Sequence, residues 1–192
     1  VKTLKLCLLA LALITKLIAK LEIPSIFGDS MVLQQNSENA IWGWADAGAT
    51  VELLWQGQNL KIQADSDGYW RVQLTTGAAS FDAHTLRIAS GPAELHISDI
   101  LIGEVWLCSG QSNMRWTMSN SADAQLEKVA AHHPALRMIT VPRMGTQIPQ
   151  KDFEGHWQRC TPETVSQFSA VAYYFGRQLQ QSLQVPIGLI AC

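Results

Sequence analysis

Residues 103–113 read Gly-Glu-Val-Trp-Leu-Cys-Ser-Gly-Gln-Ser-Asn. Within this stretch Val105–Cys108 is a short apolar run, which predicts a buried parallel strand. The run ends at Ser109-Gly110, and Ser112 then stands where a helix is expected to begin. Enzymes of the α/β class present a nucleophilic hydroxyl on a strand, turn and helix of this kind. A serine that only caps a helix gives the same local pattern, so the turn by itself leaves both interpretations open.

The chain beyond Asp99 alternates between strand and helix patterns. Strands are predicted at 100–108, 136–141 and 185–191, and helices at 122–131 and 166–183. This order is typical of the opening of a doubly wound α/β sheet. The sequence stops at Cys192, directly after an apolar strand. We therefore expect a parallel sheet that is open along one edge, as in an amino-terminal fragment of a longer catalytic domain.

Residues 20–98 have a different pattern, with short alternating strands separated by turn residues. The predicted strands are 40–45, 50–53, 60–64, 70–74 and 95–97. This spacing predicts a β-sandwich, immunoglobulin-like or jelly-roll-like, that ends where the α/β part begins at residue 99. Its four tryptophans (Trp42, Trp44, Trp55 and Trp70) are predicted to fill the sandwich core. The alternative is an aromatic sugar-binding platform, which would make the chain a non-catalytic glycan-binding module.

Several blocks, in the right order, resemble the SGNH hydrolases in the branch of sialate O-acetylesterases and related carbohydrate acetylesterases. They are residues 26–34, 67–70, 103–113, 162–164, 168–177 and 185–190. Met114 stands where a lipase elbow would have its last glycine, which also favours this family over a classical α/β-hydrolase. The resemblance implies a flavodoxin-like parallel sheet, truncated in this chain. It also implies a serine esterase that removes acetyl groups from sugars.

By this resemblance Ser112 is the nucleophile, and its own N–H is one oxyanion donor. Gln111 and Asn113 flank it and are supporting or oxyanion candidates. The family takes its base from a late Asp-x-x-His, and no such motif occurs in this sequence. Asp152 lies four residues before His156, one residue too many for that spacing. We therefore expect the chain alone to be an inactive esterase fragment.

The composition argues against several other functions. Among 192 residues the formal net charge is −2, and no basic helix face is predicted, so a nucleic-acid partner is not expected. Lys2 and Lys5 precede the apolar run 6–14, and Lys16 follows it. This layout predicts a secretory signal peptide at residues 1–19, too short to span a bilayer. The protein is thus expected to be secreted or periplasmic, without stable membrane insertion.

The cysteines and histidines do not predict a metal site. No C-x-x-C or His/Cys spacing suitable for zinc occurs, and neither a metal nor a cofactor is expected. Cys108 is predicted to be a small buried side chain, and Cys160 and Cys192 are left open as disulfide candidates. His132-His133 is predicted to cap the end of a helix before Pro134. The expected partner is an acetylated sugar or glycan, and the sequence leaves the particular sugar and the oligomeric state open.

Overall fold

The computed structural model describes residues 19–192, so the predicted signal peptide lies almost wholly outside the described residues. Eight strands come first: β1 (Leu21–Glu22), β2 (Val32–Gln34), β3 (Glu38–Ala45), β4 (Thr50–Trp55), β5 (Gln58–Gln63), β6 (Tyr69–Thr75), β7 (Ser80–Ser90) and β8 (Ala93–Cys108). They are followed by α1 (Ala124–Ala130), β9 (His133–Thr140), β10 (Gln158–Cys160), α2 (Ala170–Leu183) and β11 (Ile187–Ala191). Short 3-10 turns cover Ser112–Arg115, Met118–Asn120 and Val165–Gln167.

The strands form two sheets that share a core. The small sheet has the order β1-β3-β6, and the large sheet has the order β10-β9-β11-β8-β7-β4-β5, with β2 beside β8. Alternate residues of β3, β4 and β6 face the shared core, which explains the period-two pattern of the sequence there. Buried residues from both sheets pack in one cluster, including Ile41, Trp55, Trp70, Leu86 and Ile100. The side chains of Trp55 and Trp70 are almost fully buried, as predicted.

Trp44 does not lie in this core, and Trp42 only packs against its edge, on Phe27. They are only half-buried, because alternation along β3 turns Ile41 and Ala45 inward and places the two tryptophans on the opposite face. The prediction that they are core residues is therefore wrong. The sequence also predicts no strand at residues 80–90, where the structure has β7. Its outer half carries polar residues such as Asp82 and His84, which break the alternation that marks a strand.

Strand β8 connects the two predicted parts of the chain. Its first half pairs with β7 in antiparallel register, and Glu104–Cys108 pair with β11 in parallel register. The boundary that the sequence predicts at residues 98 and 99 therefore falls inside one continuous strand. Whether the two parts are separate domains stays a prediction. Along its last residues β8 pairs on one side only within residues 19–192, and Trp106 and Leu107 are exposed there.

The parallel part of the sheet has the strand order β9-β11-β8. A flavodoxin-like sheet would place its first strand, here β8, between the second and the third. The observed order of these three strands differs from that prediction, because β11 lies between β8 and β9. Residues 109–132, which connect β8 to β9, therefore cross the position of β11. The parallel pairing itself agrees with the sequence-based expectation. All three strands point the same way, so that Cys108, Thr140 and Ala191 end at one edge.

Helix α2 covers one face of the parallel strands. It begins after Ser169, whose hydroxyl accepts a hydrogen bond from the Ala172 N–H, so the predicted start at residue 166 was early. A Cβ at Gly176 would come within 3.0 Å of the Leu136 side chain, so glycine lets the helix lie close on β9 and β11. Helix α1 ends at Ala130, and His133 belongs to β9, where it stacks near Tyr173. The prediction that His132-His133 caps a helix is thus wrong.

A buried ion pair connects the shared core to the parallel strands. Arg137 on β9 is 3% exposed and donates from Nη1 and Nη2 to the two carboxylate oxygens of Asp99 on β8. Arg159 and the Ser30 hydroxyl also donate to that carboxylate. Arg137 donates further to the carbonyl oxygens of Ser30 and Pro134. This Asp99–Arg137 network joins β8, β9, β10 and the segment before β2.

The network makes the stability of the protein dependent on pH. Burial alone would raise the pKa of Asp99, but hydrogen bonds from Arg137, Ser30 and Arg159 outweigh it and lower the pKa from 3.8 to about 2. The carboxylate therefore stabilises the fold above about pH 4, and this contribution is lost as the pH falls towards 2. We expect at most about 2 kcal/mol, because the side chain is one-fifth exposed and partly screened by water.

Urea unfolding of the wild-type protein and of Asp99→Asn, followed by tryptophan fluorescence from pH 6 down to pH 2, measures this contribution. The free-energy difference between the two proteins should shrink as the pH falls below about 4. A difference that stays constant over this range would show that the Asp99 charge does not contribute as described.

Candidate active site

The turn after β8 brings Ser112 to the carboxyl edge of the parallel strands. Strand β8 ends at Cys108, and Ser112 is the first residue of the 3-10 turn Ser112–Arg115. A Cβ at Gly110 would come within 2.7 Å of Met114 Cγ, so glycine lets the Met114 side chain pack closely on the turn. Gln111, Ser112 and Asn113 are all exposed. In open α/β sheets, ligands bind outside the carboxyl ends of the strands, which is where this turn lies.

The segment after Ser112 is held against the start of α2. The Ala170 N–H donates to the Trp116 carbonyl at 2.7 Å, and the Met118 N–H donates to the Phe168 carbonyl at 3.0 Å. Met118 is almost fully buried beneath this contact. The Ser112 turn is therefore fixed at both ends, by β8 before it and by this backbone pairing after it. A fixed backbone is what a site needs if it is to hold a reactive group in one geometry.

Several hydrogen-bonding groups of the turn are free. The backbone N–H groups of Ser112 and Asn113 donate to no residue within 19–192, whereas the Met114 N–H donates to the Gln111 carbonyl. No hydrogen bond joins the Ser112 hydroxyl, or the side chains of Gln111 and Asn113, to another described residue. Gln111 therefore supports the turn through its carbonyl rather than its side chain. Two adjacent free N–H groups beside an exposed hydroxyl can donate hydrogen bonds to an oxygen atom that develops negative charge.

A cavity of about 250 Å³ lies next to this turn. Arg115 and Arg143 both line it, together with Met114, Thr140 and Ser169. Neither arginine forms an ion pair with a carboxylate of the described chain. The cavity thus offers two guanidinium groups to the oxygen atoms of a bound molecule. No pattern in the sequence predicts Arg143 as a site residue, since it stands alone in a loop without a motif.

The histidines of the chain lie away from Ser112. His133 begins β9 and Thr140 ends it, so His132 and His133 lie near the opposite edge, about 23 Å away along the strand. His84 pairs across from Ile100, and His96 lies even earlier on β8. His156 precedes β10, at the same edge as Ser112 but three strand spacings to the side, about 14 Å. None of them is placed to take a proton from Ser112 directly.

The cysteines are free thiols in the described structure. Cys108 is buried at the end of β8, as the sequence predicted. Burial raises the pKa of Cys160 to about 12, so its thiol stays protonated and unreactive near neutral pH. No group of three or more His, Cys, Asp or Glu side chains among residues 19–192 is arranged to hold a metal ion. None of the helices in that range has the length and apolar character needed to cross a membrane.

The structure of this chain resembles part of a known esterase. The structure superimposes on a carbohydrate acetylesterase from Xanthomonas citri with a TM-score of 0.84 and 33% identity, covering 90% of this chain and 40% of that one. The fold is therefore shared with part of a carbohydrate acetylesterase. No family model matches the chain.

Curated relatives narrow the class further. The chain is 35% identical to the human sialate O-acetylesterase over 190 residues and 32% identical to the rat protein of the same name over 187. This similarity to proteins named sialate O-acetylesterase confirms the resemblance seen in the sequence blocks of the chain. The matches cover 87% of this chain but only 36% and 34% of the two relatives. The chain therefore spans about a third of the length of these proteins.

Proposed function

We propose that this chain carries the nucleophile of a carbohydrate O-acetylesterase and that Ser112 is that nucleophile. One observation carries the proposal. An exposed serine hydroxyl stands beside two free backbone N–H groups on a fixed turn at the carboxyl edge of a parallel sheet. The similarity to acetylesterases of sugars supplies the substrate class, an O-acetyl ester on a sugar. A secreted or periplasmic location, as the predicted signal peptide implies, is part of the same proposal.

The reaction follows from the chemistry of an ester. The Ser112 Oγ attacks the acetyl carbon, and its proton passes through a base to the departing sugar oxygen. The carbonyl oxygen becomes an oxyanion and accepts hydrogen bonds from the free N–H groups of Ser112 and Asn113. The bond between the acetyl carbon and the sugar oxygen breaks, which leaves acetyl-Ser112 and the free sugar. Water then attacks the acetyl group and releases acetate.

We propose that the base is not among residues 19–192. All five histidines of the sequence are in this range, and the strand positions described above place each of them away from the Ser112 turn. Without a base, a serine hydroxyl keeps its proton near neutral pH and attacks esters slowly. The base and the acid that orients it would come from other residues, either of a longer polypeptide or of a second chain. Residues 1–192 alone are then an inactive part of the esterase.

Hydrolysis of 4-nitrophenyl acetate by the purified 192-residue chain tests this proposal. We expect the wild-type chain and its Ser112→Ala variant to release 4-nitrophenolate at the same rate. The base, which would raise the rate of ester attack about a thousandfold or more, is missing. Rapid turnover that Ser112→Ala abolishes would contradict the missing base while supporting Ser112 as the nucleophile. Rapid turnover, well above the rate without protein, that Ser112→Ala leaves unchanged would contradict both parts.

A further inference from the structure

The outer face of the small sheet carries a row of aromatic side chains. Trp42 and Trp44 alternate with inward residues along β3 and are both half-buried, and Tyr69 on β6 pairs with Trp44 across the sheet. The ring centroids of Trp44 and Tyr69 are 6.3 Å apart. Trp42 is held edge-on against Phe27 at 4.6 Å. Two residues along a strand separate the tryptophans by about 7 Å, so their rings follow one another along β3.

The loop of residues 141–153 forms the opposite wall of a groove over this face. Two adjoining cavities, of about 680 and 920 Å³, both include Trp42, Gln150 and Lys151 in their lining. The loop is fixed at its far end, where Asp152 accepts a hydrogen bond from the Ser25 N–H at 2.7 Å. We call this space the Trp groove. Its size is in the range of sites that enclose small ligands.

The Trp groove also adjoins the cavity beside the Ser112 turn. Val141 and Pro142 line both the groove and the 250 Å³ cavity beside the Ser112 turn. A chain-like ligand in the groove can therefore extend to the carboxyl edge of the parallel strands. A compact ligand would fill only one of these cavities. The continuity favours an extended ligand made of several units.

The polar groups of the Trp groove favour an uncharged ligand. Four carboxylates and two ammonium groups line the cavity that contains Trp44, namely those of Glu22, Asp65, Asp67, Asp152, Lys20 and Lys151. Excess negative charge repels an anionic ligand and leaves hydrogen-bond acceptors for hydroxyl groups. Trp55 and Trp70 have fully buried indole N–H groups without a partner, whereas those of Trp42 and Trp44 are not shielded in this way. The groove thus combines flat apolar rings with hydrogen-bonding groups at its rim.

We propose that the Trp groove binds an uncharged oligosaccharide, whose sugar rings stack on Trp42 and Trp44. The stacked units lie along β3, and the ligand extends over Val141 and Pro142 towards the Ser112 turn. This binding does not depend on the Ser112 hydroxyl or on a base. It would hold a glycan on the protein while one of its units reaches the site of ester cleavage.

Titration calorimetry with the 192-residue chain and xylohexaose, an uncharged hexasaccharide, tests the groove. We expect measurable binding that Trp44→Ala and Trp42→Ala each weaken by about tenfold or more, with Trp44→Phe weakening it less because a flat ring remains. Ser112→Ala should bind like the wild type, which separates this proposal from that for the nucleophile. Hexagalacturonic acid, an anionic chain of the same number of units, should bind more weakly than xylohexaose.

Phe81→Ala is the matched control, because Phe81 is an aromatic residue of β7 that is 57% exposed and lines none of these cavities. It should leave xylohexaose binding unchanged. Circular dichroism and thermal melting of each variant establish that it is folded, and Trp44→Phe tests the groove if Trp42→Ala does not fold. Absence of binding by the wild type, equal binding by folded tryptophan variants, or tighter binding of hexagalacturonic acid would each overturn the proposal.

Discussion

Alanine at position 112 is expected to lower kcat/KM for acetyl-ester hydrolysis by about a thousandfold or more wherever this segment works together with its base. In the proposed reaction the hydroxyl forms the covalent intermediate, so its loss removes the reaction path and not only a contact. A hybrid protein in which residues 21–192 replace the matching third of the human sialate O-acetylesterase provides such a context. The measurement is acetate release from an acetylated sugar by the parent hybrid and by the hybrid that carries Ser112→Ala.

Ser109→Ala is the matched control for this experiment. Ser109 is an exposed serine on the same turn, three residues before Ser112, and its removal should leave kcat/KM within a few-fold of the parent hybrid. Thermal melting of the three proteins separates a catalytic effect from unfolding. Loss of activity in Ser109→Ala together with full activity in Ser112→Ala would show that the nucleophile had been assigned to the wrong residue of the turn.

Arg137→Met is expected to destabilise the protein by about 3–5 kcal/mol, the largest stability effect that we predict. The substitution removes the hydrogen bonds to Asp99, Ser30 and Pro134 and leaves the Asp99 carboxylate with only its partners Arg159 and Ser30. The loss of stability comes mainly from the acceptor atoms that lose the Arg137 hydrogen bonds, since Asp99 is largely buried. Urea unfolding followed by tryptophan fluorescence gives the free energy of unfolding of each protein.

Arg87→Met is the control for Arg137→Met. Arg87 pairs with Glu94 on the protein surface, so its loss should change the free energy of unfolding far less. The double variant Asp99→Asn/Arg137→Met should recover part of the loss, because the largely buried side chain at position 99 is then uncharged. Equal effects of the two arginine substitutions would mean that the Asp99–Arg137 network does not stabilise the large sheet as described.

Prediction from sequence succeeded where a pattern is local. The parallel strand β8, the turn after it and helix α2 depend on neighbouring residues, and all three form where they were predicted. Burial was predicted less well, because Trp106 and Leu107 of the apolar run are exposed. The exposed position of Ser112 follows from the same local signal. Helix α1 was also predicted within two residues at each end. The family resemblance added a proposed substrate class, which no local pattern contains.

Prediction failed where long-range packing decided the outcome. The face on which Trp42 lies depends on which side of β3 meets the large sheet, and the position of β11 between β8 and β9 depends on a crossover path. Arg143 lines the site cavity because of the path that its loop takes, which no local pattern predicts. His133 was assigned to a helix end because Pro134 follows it, but pairing in the sheet extended β9 to include it.

The sequence by itself determined the elements of this protein and the residue that its turn presents, because strand and helix periods, glycine turns and caps are set by near neighbours in the chain. Tertiary structure alone decided which distant residues meet. Arg137 reaches Asp99 across 38 positions of sequence, and the loop of residues 141–153 covers Trp42 from about a hundred positions away. Such contacts form only when burial of whole faces brings the strands together, and that free energy is spread over the entire core.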